Sequence, residues 1–391
     1  MATQTDRLAV NGGTPVTDQM IPLVCVRLED DEIQAATEVL RSGALRDGSH
    51  CRQFETAFAT ATDAKHGLVC SNGTTALQLA YEALIQPGDE VLCPGYTFIA
   101  TASMLLARGA VPVLCEVDPN TFNIDVADAA SRITDRTRAI APVHLYGNPC
   151  DTVGIARLAQ EHGLRVIYDA AQSHLARVDD TGLGAFGDAV TYSFYPTKNM
   201  TTGEGGMVTV NDPELAERIA LIRDHGMMPG KRYHHVTLGY NYRSTDMAAS
   251  IGLLQLQKLP ERTARRQQVA GRLIELLQDV PQVRVPHATS DSCEHVYHQF
   301  TIRLALEQLS CSRDAFAEAL RAEGVSSAVH YPKALTEQPV MQEYLGARLK
   351  SLPVSEQLAQ EVLCLPCHHG LSDAQVNQVG EAVAKVAQAF A

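Results

Sequence analysis

From about residue 65 to residue 225, short apolar runs ended by Gly, Pro or Asp alternate with stretches of helical spacing. An apolar run of roughly four to eight residues without polar alternation marks a strand buried on both faces, and an amphipathic segment between two such runs supplies the covering helix. The pattern therefore predicts βα units and a mainly parallel sheet. Strands are expected over His66 to Cys70, Glu90 to Pro94, Val111 to Val117, Ala139 to Leu145, Arg165 to Tyr168, Ala189 to Phe194 and Gly206 to Val210. Helices are expected over Leu77 to Leu84, Ile99 to Arg108, Val126 to Ile133 and Thr152 to His162.

Near residue 246 the pattern changes. A long helical stretch, Asp246 to Leu259, is expected to stop at Pro260, which cannot donate to the preceding turn, and to resume through the basic run Arg262 to Gln268. Beyond it come a strand-like run (Tyr297 to Leu304), a helix (Arg313 to Glu323), a short strand (Ser327 to Tyr331) and a last helix (Asp373 to Phe390). The expectation is an N-terminal arm over 1–30, a large α/β domain over 31–259 with a seven-stranded sheet, and a smaller α+β domain over 260–391.

Charge narrows the choice of partner. With 32 basic against 45 acidic side chains the net charge is -13, which argues against a general nucleic-acid or anionic-membrane surface. No apolar run reaches the ~18 residues of a membrane span and the first residues lack the form of a secretory signal, so a cytoplasmic enzyme is expected. The ten cysteines are scattered, as buried small residues would be. Cys364-Leu365-Pro366-Cys367-His368 matches a haem-attachment or half-zinc pattern, but nothing elsewhere completes a tetrahedron, so no metal is expected. Gly182 to Gly187 fits GxGxxG yet follows polar residues and leads into a strand, so the dinucleotide context fails.

In an open α/β sheet, ligands sit beyond the carboxyl ends of the strands. Three such ends carry chemistry. Ser71-Asn72-Gly73-Thr74-Thr75-Ala76 lies between a strand and a helix: Gly73 lets the backbone approach a ligand, Thr74 and Thr75 offer hydroxyls, and the helix start favours a phosphate, although such residues also suit a plain cap. Asp169 ends an apolar strand, where a carboxylate can pair with a protonated ring nitrogen or merely cap a helix. Lys198 follows a third strand, in apolar surroundings that can lower its pKa and make it an amine nucleophile. A surface lysine is the plainer reading of that position taken alone.

These segments, in this order, resemble the DegT/DnrJ/StrS family of sugar aminotransferases, whose fold is that of aspartate aminotransferase. The resemblance covers nearly the whole chain: SNGTTAL at 71–77, PGYTFIA at 94–100, VHLYG at 143–147, DAAQSH at 169–174, the stretch 193–206, DHG at 224–226, GYNYR at 239–243 and HYP at 330–332. It implies pyridoxal 5'-phosphate as cofactor, held by Lys198 as a Schiff base, with Asp169 on the pyridinium nitrogen, Gln172 on the phenolic oxygen and Phe98 stacked on the ring. It further implies a phosphate held by Thr74, Thr75 and Ser193, joined by Asn241 from a second subunit of a homodimer. The implied reaction is ping-pong transfer of an amino group from glutamate or glutamine to a keto sugar, nucleotide-linked, or to a keto cyclitol. Lys198 favours this over the family's sugar dehydratases, which carry a histidine there. The same motifs would also serve an aminohydroxybenzoate-forming enzyme, or a regulator that holds the cofactor without catalysis. The chain departs from the family after HYP, where a histidine is common and Thr336 stands near that place.

Overall fold

The computed structural model describes residues 7–391. Two helices, α1 (Asp30–Ser42) and α2 (Ser49–Ala61), lead into β1 (His66–Cys70), α3 (Gly73–Leu84), β2 (Glu90–Pro94), α4 (Ala100–Ala107), β3 (Val111–Cys115), α5 (Val126–Ser131), β4 (Thr137–Ile140), α6 (Thr152–His162) and β5 (Arg165–Asp169). A small hairpin, β6 (Arg177–Val178) and β7 (Thr181–Gly182), precedes β8 (Ala189–Ser193), β9 (Gly206–Val210) and α7 (Pro213–Arg223). The hairpin takes up the first glycine of the GxGxxG stretch, which makes one 3-10 turn at Leu183–Ala185 and runs on into β8 without opening an α-helix.

The main sheet has seven strands in the order β1-β9-β8-β5-β4-β2-β3. Strands β3, β2, β4, β5 and β8 pair in parallel; β9 is antiparallel to both β8 and β1, so β1 runs with the majority. The near-continuous apolar runs are explained by two cores. One face packs against Phe54, Phe58, Tyr192 and Phe194, the other against Leu77, Leu79, Tyr81 and Ile219, and all eight are buried.

Helix α8 (Asp246–Leu277) corrects the expected stop: it runs unbroken through Pro260. The ring removes one hydrogen bond, but Leu256, Leu259, Arg262, Thr263 and Arg266 are buried on either side of it, and their packing holds the helix together. Its second half, with Val269, Leu273 and Leu277, joins the core of the smaller unit. That unit carries β10 (Val283–Arg284), β11 (Phe300–Leu304), α9 (Arg313–Ala322), β12 (Val362–Leu365) and α12 (Asp373–Ala389), whereas α10 (Pro339–Leu345) buries Met341 and Leu345 in the second core of the main sheet and α11 (Pro353–Glu361) packs with Tyr96 and Phe122. The expected strand at Ser327 to Tyr331 is reduced to one isolated bridge, Ala328 to Cys364. Strand β12, which holds Cys364 of the cysteine motif, pairs with β11.

Residues 1–6 of the expected arm lie outside the described residues. The part that follows packs on the smaller unit: Leu8 and Ile21 are buried in its core, and the fully buried Glu323 carboxylate accepts the N–H groups of Ala9 (2.8 Å) and Val16 (3.1 Å) while pairing with Lys385 at 2.8 Å. No helix among the described residues is long and apolar enough to cross a membrane.

Candidate active site

Strands β1, β5 and β8 run in one direction, so Ser71, Asp169 and Ser193 come to the same edge of the sheet. The start of α3 abuts Ser193: a Cβ on Gly73 would lie 2.6 Å from Ser193 Cβ, a contact only glycine avoids. Asn72 caps the helix through Oδ1, which accepts Thr75 N–H at 2.9 Å. The Thr75 hydroxyl is spent in the same turn, donating to Asn72 O (2.8 Å) and accepting from Asn72 N (3.1 Å). Thr74 makes no side-chain bond among the described residues, and the first-turn N–H groups of Gly73 and Thr74 have no helical acceptor. Two amides, the Thr74 and Ser193 hydroxyls and the positive end of a helix therefore converge, a donor set that fits a phosphate.

Asp169, at the end of β5, is buried. Its Oδ2 accepts the Thr101 hydroxyl at 2.9 Å and its Oδ1 the Ala171 N–H at 3.0 Å, but no cationic side chain among the described residues pairs with it. Burial raises its pKa, opposed by Ala171, Thr101 and the more distant Lys198. A buried carboxylate with two neutral donors and no counter-charge suits a pyridinium N–H. Lys198 sits on the turn after β8, its N–H bonded to Tyr195 O at 2.9 Å. Burial lowers its pKa to about 8, partly offset by Asp169. Part of the amine is therefore unprotonated near neutral pH, as a nucleophile requires.

The other expected residues fall around these. Phe98 is 52% exposed, 5.9 Å from the Tyr331 ring, and leaves a flat face free for an aromatic ring. Gln172 is buried and oriented: Oε1 accepts Tyr146 N–H at 2.7 Å and Nε2 donates to the Tyr331 hydroxyl at 3.1 Å. Asn241 is exposed and makes no side-chain hydrogen bond among the described residues, although the next residue's carbonyl, Tyr242 O, accepts Ser71 N–H at 2.9 Å. Thr336 donates to Glu356 at 2.8 Å, in the first turn of α11.

The family model for the DegT/DnrJ/EryC1/StrS aminotransferase family matches residues 26–384. The chain belongs to this family. This aminotransferase is 40% identical to a GDP-perosamine synthase of Caulobacter vibrioides over 94% of its own length and 98% of that protein's. It is also 40% identical to a pleiotropic regulatory protein of Geobacillus stearothermophilus, over 93% and 96% of the two chains. The crystal structure of Streptomyces venezuelae DesV superposes with a TM-score of 0.89 at 34% identity, covering 95% of this chain and 99% of that one. The aminotransferase is an α/β enzyme that uses pyridoxal phosphate, and the cradle, the buried carboxylate and the half-buried lysine are a set that fits it.

Sequence reading missed three parts of the site. Thr101, which holds Asp169, bonds across 68 residues of chain, a separation at which no local spacing carries a signal, and Tyr331, which holds Gln172 across 159 residues, stands in the HYP motif without a role of its own in the sequence reading. His298, bonded to Asn199 beside Lys198, is the third. The motif cysteines are free and buried, and among the described residues no cluster of three or more His, Cys, Asp or Glu could hold a metal ion.

Proposed function

We propose that the enzyme is a sugar aminotransferase, moving an amino group from glutamate or glutamine to a keto sugar, nucleotide-linked, or to a keto cyclitol, in two half-reactions. The observation that carries this reading is Lys198 facing the same sheet edge as the buried Asp169 and the α3 phosphate cradle; the GDP-perosamine synthase likeness supports a sugar acceptor. Bound pyridoxal phosphate supplies an electron sink for the pair left when a proton leaves the substrate carbon. Asp169 keeps a proton on the ring nitrogen, with Thr101 and Ala171 fixing its two oxygens. Gly73, Thr74 and Ser193 hold the phosphate, with Thr75 shaping the turn beneath it. Phe98 covers one ring face, and Gln172, locked by Tyr146 and Tyr331, presents its amide to the phenolic oxygen. Lys198 removes and returns the proton at the reacting carbon. Asn241 reaches the phosphate of a second copy, so two sites are shared across a homodimer.

The test is the visible spectrum of the cofactor-loaded protein with glutamate or glutamine, followed by borohydride reduction and peptide mapping. A band that bleaches with a donor, with Lys198 as the reduced and labelled residue, supports amino transfer. A second reading, a regulator that holds the cofactor without turnover, draws on the Geobacillus relative's name. It is the one supported if the band forms but ignores both donors.

A further inference from the structure

The segment before β11 packs on the turn at Leu145–Gly147: Val296 N–H reaches Gly147 O at 2.9 Å and Gln299 N–H reaches Tyr146 O at 3.3 Å. This brings His298 to the residue after Lys198, with Nδ1 3.2 Å from Asn199 Oδ1, both side chains buried. The Asn199 amide is already oriented, because its Nδ2 donates to Val296 O at 3.1 Å. Its oxygen can only accept, so the proton lies on His298 Nδ1. Burial, reinforced by Lys198, Arg266, His174 and His330, holds the ring neutral by pushing its pKa well below the ordinary value. A neutral imidazole has one N–H, which leaves Nε2 a bare acceptor. That atom has no partner among the described residues, yet it is not sealed off as His144 Nε2 and His174 Nδ1 are.

His330 has the opposite polarity. Gln299 Oε1 accepts the Cys364 thiol at 3.2 Å, so its Nε2 faces His330 Nδ1, 3.2 Å away, and donates to it. The His330 proton is then on its own Nε2, again unpartnered, and burial with Lys198 keeps this ring neutral too. Packing alone explains the burial of the two rings. It does not explain why His298, which is buried, and His330, which is half-buried, are held in fixed and complementary tautomers, each with an Nε2 that is accessible and has no partner among the described residues.

We propose that His298 and His330 are specificity-determining residues: His298 accepts a hydrogen bond from a substrate hydroxyl and His330 donates one to the adjoining oxygen. The amino acceptor is then a ketone with a hydroxyl on the neighbouring carbon. This rests on the aminotransferase reading above and extends it to the residues that select the acceptor. A bare acceptor nitrogen repels a carboxylate and rewards a hydroxyl, and a site built to bond a hydroxyl rejects the analogue lacking it.

The experiment uses cofactor-loaded wild type, His298→Phe and His298→Gln. Each is converted to the amine form with glutamate or glutamine, then returned with GDP-, UDP- and dTDP-linked keto sugars, with their analogues deoxygenated beside the ketone, and with 2-oxoglutarate as control. Wild type is expected to favour the hydroxylated ketone over its deoxy analogue by about 100-fold or more in kcat/KM. His298→Phe should lose that preference, read within the one variant as the ratio of kcat/KM for the hydroxylated ketone to that for its deoxygenated analogue. His298→Gln, which keeps an acceptor, should retain part of it. Nitrogen NMR of the loaded protein at neutral pH should find His298 bare and His330 protonated at Nε2, and this readout serves even where His298→Phe folds poorly. Undiminished discrimination in His298→Phe, return by ketones lacking the hydroxyl as fast as by those bearing it, or the opposite tautomers would overturn the proposal. A wild-type band that no donor bleaches overturns the aminotransferase reading instead, before any variant is made.

Discussion

Burial pushes Lys198 and Asp169 toward neutrality from opposite sides. In the cofactor-free protein the rate at which trinitrobenzenesulfonate labels Lys198 should therefore rise through a pH of about 8, well below the 10.5 of an ordinary lysine, as peptide mapping against pH would record. Lys198→Ala should cut turnover by about 1000-fold or more while the protein still folds, since it removes the proton carrier along with the nucleophile. For Asp169 the sign is less obvious. A carboxyl whose folded pKa lies above its unfolded value contributes stability below the ordinary 3.8 and loses that contribution as pH rises through the folded value. At neutral pH the buried charge is thus a burden to the empty protein. Asp169→Asn should raise the thermal midpoint of the cofactor-free enzyme at pH 7, the Thr101 hydroxyl turning to accept, and should weaken cofactor binding; a lower midpoint would contradict this account. The places of Lys198 and Asp169 just beyond apolar strands are legible in the sequence, because the strand period and the following turn are local; the roles proposed for them come from the family resemblance. The contacts around them could not be read in this way: Thr101, on Asp169, and His298, on Asn199, arrive from distant chain and look like ordinary helix and strand-edge residues, and Tyr331, though it stands in the HYP motif, gives no local sign of its bond to Gln172.

At the scale of elements, the strands of the main sheet are the most legible part of the chain, because strands buried on both faces must be almost wholly apolar and must end in turn residues. The ends of expected elements shift by a few residues where capping decides them, as at α3, which starts at Gly73 under an Asn72 cap rather than at Leu77. Two elements depart from their expected form. Pro260 stops a helix by its own chemistry, and Ser327 to Tyr331 has strand composition, but α8 is held by buried neighbours on each side of the proline, and Ser327 to Tyr331 keeps one bridge to β12, Ala328 to Cys364. Pro260→Ala should restore the missing main-chain bond and raise stability by about 1 to 3 kcal/mol in denaturant unfolding. A loss instead would show that α8 needs the proline to seat its second half against the smaller unit.

For the whole molecule, the shared-site proposal gives a decisive mixing experiment. Lys198→Ala and Asn241→Ala should each be nearly inactive alone. Unfolded together and refolded, they should recover roughly one quarter of wild-type activity, because a mixed dimer concentrates both lesions in one site and leaves the other intact. No recovery would place Asn241 in its own subunit's site or outside the site altogether. Exposed apolar residues on α1 and the stretch before it (Val24, Val26, Leu28, Ile33, Leu40) offer a surface for that pairing. Within the subunit, Glu323 joins the early chain to the late chain, and Glu323→Ala, by stripping Lys385 and two main-chain amides of their partner, should cost about 3 kcal/mol and expose residues 8–21 to rapid hydrogen exchange. That clasp also orders events during translation. The amides of Ala9 and Val16 leave the ribosome hundreds of residues before Glu323 and Lys385 exist, so these amides gain their acceptor only after the strands of the main sheet have been made.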